Sequence, residues 1–189
     1  MSITILPAVE PTEMQRFIVA KSNQFILHSR YDLSLMEQRI LACMISMVDS
    51  RGSDLQDCEL DIDTFCTLCK IEKRGSARYL KEVTKGLRDQ SFWMETEEGV
   101  YETFSWVEKI SINEKKGKIT LRFSNDMKPF LLNLQSDFTS YKLPMVLRFS
   151  SRYTNIVFDL IYSKFGQNGR KSGSLEILVD EMKERVQIK

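Results

Sequence analysis

Apolar positions along the chain follow two different periods, and the change between them organises the fold. The first strong helical pattern opens at Ser34, where Ser34 and Glu37 have the spacing of a capping box. Ile40, Leu41, Met44, Ile45, Met47 and Val48 follow, with Ala42 and Cys43 between them. The predicted helix, running to about Asp49, is therefore apolar nearly all round and belongs at the centre of a core. Ahead of it, Arg16–Leu27 has no long periodicity and reads as a short strand or helix. After the loop at Ser50–Ser53, Cys58–Ile62 alternates and predicts a short strand. Asp61 or Asp63 then caps a short helix bearing Phe65, Leu68 and Cys69. A turn containing Gly75 leads into a second helix, from about Ser76 to Arg88.

From Ser91 the period becomes two. Phe92 and Met94 alternate with polar neighbours, Gly99 makes a turn, and Phe104, Trp106, Ile110 and Ile112 share one side of a long predicted strand interrupted by Glu108. Lys115, Lys116 and Gly117 form a basic turn, after which Ile119, Leu121 and Phe123 alternate cleanly. The order helix, strand, helix, helix, antiparallel hairpin is that of a winged helix, a helix-turn-helix followed by a β-ribbon wing. The fold class predicted is α+β. Further on, Asn125 caps a short helix with Pro129 in its first turns, and Phe138–Leu143 forms a strand stopped by Pro144. An amphipathic helix spans about Ser150–Phe165, Gly166–Ser174 is a loop, and Leu175–Ile188 is a strand leading into a helix.

Composition narrows the class. Hydrophobic residues are 42% and charged residues 28% of 189, ordinary values for a globular protein. No apolar run approaches the roughly 18 residues that span a bilayer, and the start of the chain lacks the features of a signal peptide. The expected location is therefore cytoplasmic, with all four cysteines reduced. Cys66 and Cys69 make a single C-x-x-C with no second pair, so they read as core thiols and not as a zinc site. His28 is the only histidine and has no catalytic companion. The Gly166–Ser172 stretch fails phosphate-loop spacing because Arg170 stands where a glycine is required. No catalytic residue, metal or cofactor is expected.

The net charge of +1 is uninformative, but its distribution is not. Six acids and one base lie between Asp49 and Asp63, against seven bases and two acids between Lys70 and Arg88. With about 100° per residue, Arg74, Arg78, Lys81, Lys85 and Arg88 fall on one face of the second helix. Leu80, Val83 and Leu87 fall opposite. A row of cations suits the phosphates that recur along a groove edge, although a solvated amphipathic face has the same pattern. Lys73 and the turn lysines Lys115, Lys116 and Lys118 join the candidate DNA-binding set, the latter as a wing tip reaching phosphates. Phe92, Trp93, Phe104 and Trp106 hold more aromatic area than one small sheet face usually hides, and they are expected to form a dimer interface unless helices on either side cover them.

Two blocks resemble the iteron-binding plasmid replication initiators, the Rep family. One runs from Lys21–Ser22–Asn23 through Arg30–Tyr31 to Leu33–Ser34–Leu35–Met36–Glu37–Gln38–Arg39. The other comprises Phe138–Thr139–Ser140–Tyr141, Leu147–Ser151, Tyr153 and the helix to Phe165, with Phe158–Asp159 where relatives often carry Leu-Tyr-Glu. The resemblance implies an initiator that binds repeated sites of double-stranded DNA in a plasmid origin. It also implies a homodimer that represses its own gene, and host replication proteins as further partners. It divides the chain into a winged-helix domain, residues 1–145, and the opening of a second, incomplete one, residues 146–189. A winged-helix transcriptional repressor and a dimerisation-only module are the alternatives.

Overall fold

The structure, a computed structural model, describes residues 3–6, 16–165 and 179–185. The expected loop at Gly166–Ser174 and the strand after Leu175 lie outside these residues. In chain order the elements are β1 (Ile3–Leu6), β2 (Ile18–Ser22), α1 (Asn23–His28), β3 (Ser29–Arg30), α2 (Leu35–Ile45), β4 (Asp57–Asp61), α3 (Ile62–Cys69) and α4 (Ser76–Asp89). There follow β5 (Ser91–Glu97), β6 (Val100–Ser105), β7 (Val107–Asn113), β8 (Lys118–Phe123), a 3-10 turn (Asn125–Met127) and α5 (Lys128–Leu131). The last are β9 (Phe138–Lys142), α6 (Leu143–Leu147), α7 (Arg152–Phe165) and α8 (Val179–Arg185).

Helix α2 is central, as its all-round apolar pattern demands. Ser34 Oγ accepts from the Glu37 amide at 3.3 Å, and Glu37 returns the bond to the Ser34 amide at 2.7 Å. Regular helix stops at Ile45, earlier than expected. Met47 and Val48 continue in a tightened turn, with amides bonded to Met44 and Ile45 carbonyls at 3.1 and 3.0 Å. The region before it holds both alternatives in series, strand β2 and then α1, which Ser22 caps through the Phe25 amide.

The winged helix consists of α2, β4, α3, α4 and the β7–β8 hairpin. Its sheet has the order β1-β4-β8-β7, antiparallel except for the parallel β1–β4 pair. Asp61 caps α3 by accepting from the Thr64 amide at 2.8 Å. Lys70, left-handed at φ 55, ends that helix, and Gly75, at φ 78, begins α4.

One expected element is corrected. Phe104, Trp106, Ile110 and Ile112 do not share a strand, because the chain leaves one sheet and enters another at Trp106. β6 pairs with β5 in a sheet of order β3-β5-β6, whereas β7 pairs with β8, with a bulge between Val107 and Lys109. The β5–β6 hairpin is thus inserted between α4 and the wing. Smaller differences follow local chemistry. Ser124, not Asn125, caps the 3-10 turn by accepting from the Asp126 amide, and Pro144 sits in the first turn of α6, where its missing N–H costs nothing.

The buried aromatics gather where α1 meets that inserted hairpin. Phe25, Phe92, Phe104, Trp106 and Phe130 pack with ring centroids 4.5–6.2 Å apart in edge and stacked pairs. Val146, Leu147, Ile156 and Leu160 belong to the same core, so α6 and α7 pack on the winged helix. There Lys21 of β2 forms a buried ion pair with Asp159 of α7, and the Tyr141 hydroxyl donates to the second Asp159 oxygen at 2.7 Å. Burial and the neighbouring carboxylate together push the Tyr141 hydroxyl far above its ordinary pKa.

Candidate nucleic-acid interface

Helix α4 places its two faces as its sequence implies, except that Arg74 precedes it, in the turn before the left-handed Gly75, and so is not part of the helical row. Leu80 and Leu87 are fully buried and Thr84 nearly so, against α2 and α3. Arg74, Arg78, Lys81, Lys85 and Arg88 are all exposed. At the buried side α4 passes so near α2 that a Cβ on Gly86 would lie 2.8 Å from Glu37 Oε1. The same Glu37 oxygen accepts from Gln90 Nε2 at 3.1 Å, which fixes the far end of the helix. The capping residue of α2 thereby also sets the height of the cationic face.

The cations are not equivalent. Arg74, Arg78, Lys81 and Lys85 are in no ion pair among the described residues. Arg88 turns back on the wing, its Nε donating to the Glu108 carbonyl at 3.1 Å. Lys73 pairs with Asp63 at 3.4 Å on the surface. Between α4 and β7 runs an open groove lined by Lys81, Lys85, Arg88, Ile110, Ile112 and Glu114. Tyr79, which the sequence reading did not single out, is 46% exposed beside Arg78. An aromatic off the apolar stripe of an otherwise charged helix was the available signal.

At the wing, Lys115 and Lys116 project from the turn, which Asn113 closes by accepting from the Lys116 amide at 3.1 Å. Gly117, at φ 62, offers its carbonyl to the Ile62 amide at 2.9 Å. The wing turn is thereby tied to the first turn of α3. Lys118 behaves differently from its neighbours. It lies 3.8 Å from Glu59 and 3.6 Å from Asp61 on β4, so two carboxylates already compete for its charge.

The four aromatics expected at a dimer interface separate. Phe92 and Trp106 are 1% and 2% exposed and Phe104 is half-buried, because Phe25 of α1 and Phe130 of α5 cover them. Phe92, Phe104 and Trp106 are corrected to core residues. Trp93, of opposite parity on β5, remains 53% exposed, with Val100 and Tyr101 exposed on β6. The cysteines are buried and unpaired, and burial pushes the Cys58 and Cys69 thiols up to about 12, out of the reactive range. His28 is exposed at the end of α1. No helix among the described residues is long and apolar enough to cross a membrane.

Known proteins share this architecture. Residues 18–162 match the family described as Initiator Replication protein, WH1. A replication initiation protein of Escherichia coli is 22% identical over 176 residues, covering 90% of this chain and 54% of its own length. The chain thus spans about half the length of the curated relative it matches. Among solved structures, the Pi initiator protein in complex with iteron DNA superposes with a TM-score of 0.71 at 20% identity, covering 92% of this chain and 73% of that one. That likeness shows a shared winged-helix fold. The chain belongs to the Initiator Replication protein family, and what residues 18–162 form is its WH1 domain.

Proposed function

We propose that this chain is the N-terminal part of a plasmid replication initiator, and that it holds duplex DNA of the origin repeats by its phosphates. The observation that carries this reading is the exposed row of Arg78, Lys81 and Lys85 on a helix whose other face is buried, with Arg74 exposed in the turn before it and none of the four in an ion pair among the described residues. Fixed cations along a rigid helix neutralise successive phosphates and release counterions, which supplies affinity without reading bases. Lys115 and Lys116 extend the contact from the wing. Arg88 and Lys118, already bonded within the protein, contribute less. The protein acts as a binding scaffold and not as a catalyst.

In this reading α7, whose Ile156 and Leu160 belong to the first domain's core, is the joint to a second winged domain. The base-specific contacts then lie mainly in that second domain, which together with host replication proteins completes initiation. Homodimerisation uses the outer edge of β6 with Trp93, Val100 and Tyr101. β6 ends its sheet among the described residues, and an open edge strand with exposed aromatics suits pairing with a second copy. The dimeric form represses its own gene.

The test is titration of a labelled duplex with this chain at several salt concentrations. The reading requires binding to unrelated duplex, with log affinity falling linearly against log salt at a slope of about −0.9 per phosphate contacted. No binding to duplex at about 50 mM salt contradicts it. Sedimentation of the same sample tests the edge. A dimer that Trp93→Ala weakens is expected, and a strict monomer at high micromolar concentration contradicts the dimer.

A further inference from the structure

The β5–β6 hairpin is acidic throughout. Between Ser91 and Ser105 there are four carboxylates, Glu95, Glu97, Glu98 and Glu102, and no base. None of the four is in an ion pair among the described residues. Glu95 is engaged within the hairpin turn, where Oε1 accepts from the Gly99 amide at 3.1 Å. Glu102 is exposed on β6, opposite Met94 of β5.

Two hydrogen bonds fix which backbone groups of β6 face its open edge. The Ser105 amide donates away from β5, to Asp126 Oδ2 of the 3-10 turn at 3.0 Å. The Val100 carbonyl points the other way and accepts from Thr96 Oγ1 on β5 at 3.5 Å. Along a strand of an antiparallel pair, the N–H and C=O of one residue point to the same side, and successive residues alternate. Val100, Glu102 and Phe104 therefore bond towards β5, whereas Tyr101, Thr103 and Ser105 point to the edge. Asp126 already holds Ser105. Tyr101 and Thr103 are left to pair with another strand.

A twofold axis that extends one sheet into its copy makes the two edge strands antiparallel, and facing residues lie on the same side of the sheet. In one register Tyr101 and Thr103 bond to the second copy's Thr103 and Tyr101, which uses every open group of both edges. That register sets Glu102 directly opposite the second copy's Glu102, in a non-hydrogen-bonded pair with Cα atoms about 4.5 Å apart. Centring on Tyr101 would instead call on Gly99, whose amide Glu95 holds, and centring on Thr103 would call on Ser105. Like charges directly opposite destabilise a strand pair. We propose that Glu102 meets its own copy across this axis and keeps the dimer dissociable, by a repulsion that salt relieves; this rests on the β6 homodimer proposed above. Dimerisation and duplex binding then answer salt with opposite signs. The first tightens as the carboxylates are screened, and the second weakens as counterion release yields less.

A residue that meets itself can be tested by mixing two variants. Isotope-labelled parent chain is mixed with Glu102→Lys at low ionic strength, and native mass spectrometry counts the dimers. Repulsion becomes attraction in the mixed pair alone, so the heterodimer should rise from the statistical half to about two-thirds or more. Sedimentation of the parent should show a dimer association constant that rises about three- to tenfold between roughly 50 and 500 mM salt. Glu102→Gln, which keeps the shape and removes the charge, should tighten the dimer about two- to fivefold at the low end and lose most of that rise. If Glu102→Lys does not fold, the comparison with Glu102→Gln decides alone. A heterodimer at the statistical half, with a parent dimer whose affinity is flat or falls with salt, overturns the inference and leaves the dimer standing. A strict monomer at high micromolar concentration in every salt removes the β6 homodimer and the role of Glu102 with it.

Discussion

Gly86 stands inside a helix, where glycine ordinarily costs about 1 kcal/mol relative to alanine. Its place follows from Glu37, whose Oε1 would lie 2.8 Å from an added Cβ. Gly86→Ala should therefore destabilise by about 1–3 kcal/mol despite its better helix propensity, because the capping carboxylate must move. Urea denaturation checks this, and a stabilised variant would show that Glu37 moves freely. Nothing in the sequence marks that close approach, since it depends on how two helices cross. Asp159 is similar. Its position in the motif was legible, but its pairing with Lys21 across 138 residues was not. Asp159→Ala strands the buried Lys21 ammonium, and a loss of about 3–5 kcal/mol is expected by the same method. A loss below about 1 kcal/mol would mean that water reaches the pair.

Among elements, those with a strong period and a capping residue were read well. Helix α4 was expected over Ser76–Arg88 and spans Ser76–Asp89, and the alternation of Ile119, Leu121 and Phe123 marks β8. The error at Trp106 has a physical cause. Alternation reports which face a residue takes, not which strand it pairs with, and no glycine or proline marks the change of sheet. The aromatic residues were misassigned for a related reason. Their covering helix, α1, has only 6 residues, too few to show a period, so Phe25 was not counted against Phe92 and Trp106. The wing was legible as a basic turn, but the carboxylates facing Lys118 come from β4 and appear only once strands pair. A prediction separates the wing lysines accordingly. Lys115→Ala with Lys116→Ala should flatten the salt dependence of duplex binding by up to about two units. Lys118→Ala should change it little, and the reverse ranking in fluorescence anisotropy would place the wing tip off the DNA.

At the scale of the whole molecule, the proposed hold of a chain of net charge +1 on a polyanion rests on local segregation of charge. That segregation was visible in the sequence as an acidic stretch before Asp63 and a basic one after Lys70. The fold gives it geometry, since β4 carries acids toward the sheet while α4 turns its cations outward. One comparison decides whether this outward face meets phosphates. Arg78 and Lys81 are exposed and lie opposite Leu80 and Leu87, so replacing both by alanine keeps helix propensity and spares the core. Duplex affinity of the double variant and the parent is measured across several salt concentrations, with circular dichroism as the check on folding. The expected result is a folded variant with weaker binding and a slope of log affinity against log salt flatter by about two units; a folded variant with unchanged affinity and slope would mean that phosphates do not meet this face.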